Sequence, residues 1–260
     1  MSARKPTKLV LSPTRIATYL ACPLMYKFVY IDKISRFYYK PKAAHSFGAS
    51  LHRALQDFHE HGGVHTQTVQ QLASRFRETW VAVGYQSPDE ERKHFQDGLK
   101  ILEDYHADPP PSGTITLLTE RQLKHDMGAF ALAGRIDRLD QRPDGSIEVI
   151  DYKSGRATVT EDEVRNDLAM SIYQLLAKLK YPDERVIGSI LCLRTGVKAT
   201  AELTSQELVS VEEEVRAVAA EIMPLSSDTE FDPTDKTACP ICDFERLCIK
   251  TRARSRTLLD

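Results

Sequence analysis

Three side chains in GRIDRLDQRPDGSIEVIDYKSG, residues 134 to 155, are of types that do chemistry: Asp137, Asp151 and Lys153. They interrupt apolar runs where a buried sheet favours valine and isoleucine. In a strand, alternate residues share a face, so Ile147, Val149, Asp151 and Lys153 point the same way. The first two can enter a core while the last two emerge at the strand's end, beside Gly155. Asp137 lies on the preceding strand, across a hairpin, which brings its carboxylate toward that of Asp151. Two carboxylates about 5 Å apart repel by roughly 3 kcal/mol at an effective dielectric near 20. A divalent cation between them removes that repulsion, and hard oxygen ligands favour Mg²⁺ or Mn²⁺. Lys153 can then steady an attacking water or offset the charge on a transferring phosphoryl group. The same residue types also make an exposed salt-bridged hairpin of little energetic weight. Spacing alone leaves both readings open.

A second constellation is CPICDFERLC, residues 239–248, which supplies Cys239, Cys242 and Cys248, with Cys22 a distant fourth thiol. Four thiolates suit tetrahedral zinc or a 4Fe–4S cluster, and the spacing does not separate the two. Either would clamp the two ends of the chain together. Cys192, inside SILCLRTG, reads as a small buried apolar residue.

The elements that must position these groups alternate in texture. SPTRIATYLACPLMYKFVY, 12–30, opens with an N-cap at Ser12 and Pro13 at the first helical position. Residues 48–61 read as a helix with Leu51, Ala54, Leu55 and Phe58 on its apolar face, and 66–83 and 88–107 as two more. PPPSG at 109–113 ends that region. ITLLTERQLKHD, FALAGRIDRLD and SIEVIDYK follow as strands, with PDG at 143–145 as a turn. Residues 161–180 return to helical period, 186–196 read as a strand, and 209–223 as a last helix. The order predicts an α/β (α+β) domain with a mixed central sheet flanked by helices, an N-terminal helical region and a cysteine-rich tail.

Composition excludes several classes. The chain has 260 residues, 42% hydrophobic and 28% charged, as ordinary globular proteins do. No apolar run approaches the ~20 residues that span a bilayer, and MSARKPTKLVL lacks a signal peptide's apolar core, so the expectation is a cytoplasmic protein with no membrane partner. A net charge of −2 means that a nucleic-acid partner must be held by a local basic surface. KISRFYYKPK, 33–42, interleaves Lys33, Arg36, Lys40 and Lys42 with Phe37, Tyr38 and Tyr39. That composition stacks bases and tracks phosphates, or else forms a solvated loop with aromatic anchors. KTRARSR at 250–256 is a further basic stretch, as a phosphate contact or a frayed tail. Arg135, Arg138 and Arg156 flank the acids and are better candidates for contacts with a phosphate backbone.

An acid on one strand, then Asp-x-Lys ending the next, resembles the PD-(D/E)XK nuclease superfamily. GRIDRLD followed by VIDYKSG is similar to nuclease domains of RecB and AddB type and to the related CRISPR-adaptation nucleases. The resemblance covers nearly the whole chain, from SPTRIATYLACPLMYKFVY and GASLHRAL to the hairpin, SIYQLLAKL and the cysteine tail. It implies a restriction-endonuclease-like core in one nuclease domain over 1–260, with a helical region at 12–107, a core at 114–223 and a staple made by Cys22 and residues 239–248. It implies catalytic or metal-site roles for His52, Glu120, Asp137, Asp151, Lys153 and Tyr173, with the carbonyl of Tyr152 as a further metal oxygen. It also favours a 4Fe–4S cluster over zinc on Cys22, Cys239, Cys242 and Cys248. The family's Gln-x-x-x-Tyr helix signature is incomplete, because Ala169 stands four residues before Tyr173, and Gln174 faces elsewhere. The implied activity is a Mg²⁺- or Mn²⁺-dependent exonuclease on single-stranded or frayed DNA ends in repair or recombination. The alternatives are a CRISPR-adaptation nuclease and a catalytically silent iron–sulfur DNA-binding module; the implied partners are DNA and a helicase or CRISPR-adaptation protein.

Overall fold

The computed structural model describes residues 8–233, 239 and 242–249. In chain order the elements are β1 (Val10–Leu11), α1 (Pro13–Ala21), α2 (Pro23–Tyr26), α3 (Ala43–Glu60), α4 (Val69–Glu78), α5 (Pro88–Ala107), β2 (Ile115–Asp126), β3 (Ala131–Gln141), β4 (Ile147–Lys153), α6 (Glu161–Arg165), α7 (Leu168–Lys180), β5 (Val186–Cys192), β6 (Val197–Ala201) and α8 (Ser205–Ile222). They belong to two compact units, one of Met1–Val10 with Pro41–Glu214, the other of Leu11–Lys40 with Val215–Asp260.

The sheet of the first unit has six strands in the order β1-β3-β4-β5-β6, with β2 also paired to β3. β3 and β4 form an antiparallel hairpin whose turn places Gly145 at φ 84°, a left-handed conformation that suits glycine. β4 and β5 run parallel, which requires a crossover, and α6 and α7 provide it. β6 returns antiparallel to β5. The result is the mixed α/β architecture that the order of helical and strand patterns predicts.

Both faces of the sheet are covered, which is why β4 is buried along nearly its whole length, Glu148 and Asp151 included. On one face Leu51, Leu55 and Phe58 of α3, Phe76 of α4 and Leu102 of α5 pack with Ile150 and Tyr152. Each such side chain contributes on the order of 1.5–3 kcal/mol by leaving water. On the face carrying Val149, α7 comes so close that a Cβ on Gly188 would lie 2.5 Å from the Met170 sulfur. Only a hydrogen fits there.

Two helical readings are subdivided in the structure. The stretch 12–30 forms α1, α2 and a π-turn over Lys27–Ile31. Cys22 ends α1 in extended backbone and its sulfur then caps α2, where Pro23 is the first residue. Likewise 161–180 breaks before Asp167, whose carboxylate accepts from Met170 N at 2.9 Å and starts α7. The short strands β1 and β6 have no counterpart in the sequence reading. The second unit closes around Leu24, Phe28, Phe231 and Phe244.

Candidate active site

Strand pairing accounts for the convergence of the acids. The last backbone pair between β3 and β4 is Arg138 with Ile150, so the next residues in register are Asp137 and Asp151. There the ladder stops. The backbone N–H of Tyr152 donates instead to Asp137 Oδ2, at 2.7 Å. On the other side of β3, Glu120 falls across from Asp137, between the pairs Thr119 with Arg138 and Arg121 with Ile136. Glu120 has φ 45°, a left-handed conformation that a non-glycine residue in a strand adopts only under restraint. Such strain is stored where a side chain must be aimed, and here it accompanies a carboxylate turned toward the acid on β3.

His52 reaches the same point from α3. Its Nδ1 is 3.0 Å from Glu120 Oε1 and 3.3 Å from Asp137 Oδ1. Burial lowers the imidazole pKa, but hydrogen bonds to Asp137 and Glu120 outweigh it and raise the value to about 10. The ring is therefore a cation shared between two acids. Among the described residues, His52, Glu120 and Asp137 are the group whose donor atoms all lie within 4.8 Å of one another. A hard divalent cation holds its ligands at ~2.1 Å, so neighbouring donors stand ~3 Å apart. The observed spacing fits that shell with small adjustments. One imidazole nitrogen and carboxylate oxygens suit Mn²⁺ or Mg²⁺, and binding would release the His52 proton.

Asp151 stands one strand over, buried, with Oδ2 2.6 Å from Lys153 Nζ. Burial, followed by the charge of Asp137, raises its pKa to about 6, against the lowering effect of Lys153. Burial alone would lower the Lys153 pKa, yet Asp151 raises it overall, so Lys153 is a charged amine at neutral pH. The arrangement is a partly buried anionic cup with one ammonium at its rim. It can hold a cation and present a positive group to a phosphate or a water beside it.

The remaining candidates divide. Tyr173 of α7 packs against Gly134, where a Cβ would lie 2.7 Å from its ring, and burial and the charges of Asp151 and Asp137 push its hydroxyl pKa up. Gln174 is buried and accepts from Leu203 N at 3.2 Å, away from the acids as expected. Arg135 is exposed but donates to Glu120 Oε2 at 2.7 Å, and Arg156 lies 3.2 Å from Glu163. Arg138 corrects the sequence reading: it is 6% exposed and cannot meet a DNA backbone from there. Alternation hides this, because an arginine beside an acid reads as a solvent-facing cation. Asp167 was missed. It caps α7 while its charge acts on Asp151, Lys153 and Tyr173, and its only sequence signal is its position before an apolar helix.

In the second unit, Cys22, Cys242 and Cys248 pack against the core of Leu24, Phe28, Phe231 and Phe244, and Cys242 N donates to Cys239 O at 3.1 Å. Among the described residues no three of these sulfurs lie within 4.8 Å of one another. Cys192 is fully buried, as its surroundings in sequence imply. In KISRFYYKPK, Tyr38 is half-buried and packs on the Phe244 ring, with centroids 5.5 Å apart. Phe37 and Tyr39 are the exposed rings, at 69% and 55%. Lys40 is exposed as well. The basic stretch 250–256 lies outside the described residues.

This hairpin, its acids and its lysine on a mixed sheet define a nuclease of the PD-(D/E)XK kind, and the family model of the PD-(D/E)XK nuclease superfamily matches residues 10–249. The chain belongs to that superfamily. Among solved structures it is similar to a protein from Eubacterium rectale named "Putative exonuclease", with TM-score 0.56 and 11% identity over 94% of this chain and 93% of that one. It also aligns with the protein SSO0001 at TM-score 0.38 and 13% identity, over 95% of this chain and 88% of that one. The first of these supports the fold; the second is too distant to bear on it. No curated protein matches the chain by sequence. Among the described residues no helix is long and apolar enough to cross a membrane.

Proposed function

We propose that the protein is a divalent-metal-dependent deoxyribonuclease acting as an exonuclease on single-stranded or frayed DNA ends, a substrate suited to repair and recombination. The observation that carries this reading is the convergence of His52, Glu120 and Asp137 beside the Asp151–Lys153 pair. His52, Glu120, Asp137 and Asp151 are the proposed ligands, with the Tyr152 carbonyl as a further oxygen. Mn²⁺ or Mg²⁺ bound there supplies Lewis-acid polarisation of the scissile phosphate and a more acidic water. The residues do the rest. Lys153 orients the attacking water and offsets charge that develops on the phosphate. Asp151 keeps the Lys153 ammonium in place, and Tyr173 bounds the cup on the α7 side.

The preference for unpaired ends rests on Phe37 and Tyr39. Base–aromatic stacking is worth about 1–3 kcal/mol per base, and duplex DNA hides the base faces. End-labelled single strands should be degraded faster than blunt duplex, while a covalently closed single-stranded circle resists. Replacing Phe37 and Tyr39 together with alanine should reduce the single-strand preference at least about tenfold. It should leave the salt dependence of binding unchanged, because no charge is removed. Equal rates on circle, duplex and linear single strand would refute the exonuclease assignment.

The four cysteines Cys22, Cys239, Cys242 and Cys248 are proposed to hold a 4Fe–4S cluster that staples the second unit. The packing of three of them on one small core supports this. Anaerobically purified protein should be brown and contain about four irons per chain. One zinc and no iron would replace the cluster with a different staple.

A further inference from the structure

The arginine that the sequence assigns to DNA lies on the far face of the sheet from the acids, in a buried polar group. Arg138 Nη1 is 2.8 Å from His59 Nε2 and 3.1 Å from the Tyr152 hydroxyl, and it also donates to the Tyr105 hydroxyl. Its Nη2 is 3.0 Å from Asp140 Oδ2, a carboxylate 1% exposed. The Tyr105 and Tyr152 hydroxyls are 2.9 Å apart. Burial and the adjacent guanidinium push the His59 pKa down to about 2, so the ring is neutral and its Nε2 accepts. A buried arginine with a carboxylate and three further polar partners costs much to desolvate, and an apolar cluster would often serve stability as well. Its placement suggests another use.

Arg138 follows Asp137 on β3, and Tyr152 stands between Asp151 and Lys153 on β4. The β3–β4 ladder ends at Arg138, so backbone pairing does not fix the distance from Asp137 to Asp151. Two side-chain links cross the gap where backbone bonds are missing. On the acid face, Asp137 takes the N–H of Tyr152; on the far face, Arg138 holds the hydroxyl of the same tyrosine. Through His59 the guanidinium also grips α3, two turns along from His52, whose ring meets Tyr152 edge-on with centroids 5.7 Å apart.

We infer that Arg138 is a positioning residue: with Tyr152, Tyr105 and His59 it forms a clasp behind the sheet that sets the spacing of the metal-site residues on β3, β4 and α3. This inference rests on the metal site of the proposed nuclease. Arg138 touches neither metal nor DNA in this role. It fixes a separation that the mutual repulsion of the two carboxylates would otherwise widen.

The test uses two variants of the full chain, Tyr152→Phe and Arg138→Lys. The first deletes one hydroxyl and leaves the ring, the backbone N–H bond and the Arg138–Asp140 pair. The second keeps the charge beside Asp140 but loses the planar fork that reaches several partners at once. Mn²⁺ binding is measured directly, by paramagnetic resonance of the free ion, alongside thermal melting in EDTA and DNA binding without metal. Groups that orient metal ligands typically account for about 10–100-fold in affinity. Each variant should weaken Mn²⁺ binding about tenfold, with DNA affinity in EDTA and its salt dependence unchanged and kcat largely restored at saturating Mn²⁺. Should Arg138→Lys fail to fold, Tyr152→Phe decides alone. Wild-type Mn²⁺ affinity in the folded variants, whatever their melting temperatures, would overturn the clasp and leave the nuclease reading intact. A wild-type chain that binds Mn²⁺ without cutting DNA would remove the nuclease reading, while the same titrations still decide the clasp. A wild-type chain that binds no Mn²⁺ would overturn both.

Discussion

Replacing Asp151 with asparagine should abolish cleavage and, in EDTA, make the protein more stable. The loss follows from removing a proposed ligand: several kcal/mol of charge stabilisation disappear, on the order of a thousandfold in kcat, together with Mn²⁺ affinity. The gain follows from the raised pKa of Asp151, which is about 6. An acid whose folded pKa lies above its unfolded value stabilises the fold while protonated and loses that contribution as pH rises through the folded value. At pH 7.5 the metal-free wild type carries a buried, ionised carboxylate next to Asp137, whereas asparagine resembles the protonated acid at every pH. Melting in EDTA should therefore favour Asp151→Asn at pH 7.5, with the difference shrinking as pH falls below about 6 and toward the ordinary carboxylate range. The same titration adds to the proton competition at His52, so the Mn²⁺ affinity of the wild type should fall more steeply with decreasing pH below about 6. Asp137→Asn should lose activity to a similar extent while preserving an acceptor for the Tyr152 N–H. Retention of cleavage by either variant would remove its carboxylate from the site.

Lys153→Ala should separate chemistry from metal binding. The ammonium sits 2.6 Å from Asp151 and has no part in coordination, so its removal leaves every proposed ligand in place. Losing one preorganised charge aimed at a transition state costs roughly a hundredfold to a thousandfold in kcat. Mn²⁺ affinity should stay level or rise, because a neighbouring positive charge is gone, and KM for DNA should change little. A kcat within a factor of two of wild type would show that the lysine serves only to neutralise Asp151.

The hairpin that carries this chemistry is legible in the sequence because its physics is local. Alternation assigns Asp151 and Lys153 to one face, and Pro-Asp-Gly marks the turn that puts Asp137 across from Asp151. The end of α1 is less legible: Pro23 breaks a pattern that reads as one helix, and Cys22 caps both sides of the break. Glu120 could be named by its place before the hairpin, but nothing in TERQLKHD announces a left-handed backbone inside a strand. Arg138 illustrates the opposite failure. Its partners His59, Tyr105 and Asp140 come from α3, α5 and β3, and only the packed fold shows that they enclose it. The contact of Tyr38 with Phe244 is hidden for the same reason, since the two lie about two hundred residues apart in the chain. Local pattern finds groups that face a site. It does not find groups that face one another across a core.

The most direct measurement is cleavage of an end-labelled single-stranded oligonucleotide by the EDTA-stripped wild-type chain as Mn²⁺ is added back. The site formed by His52, Glu120, Asp137, Asp151 and Lys153 requires no cleavage in EDTA and a saturable return of cleavage with Mn²⁺. Cleavage that persists in EDTA, or none at saturating Mn²⁺, would contradict a metal-dependent nuclease.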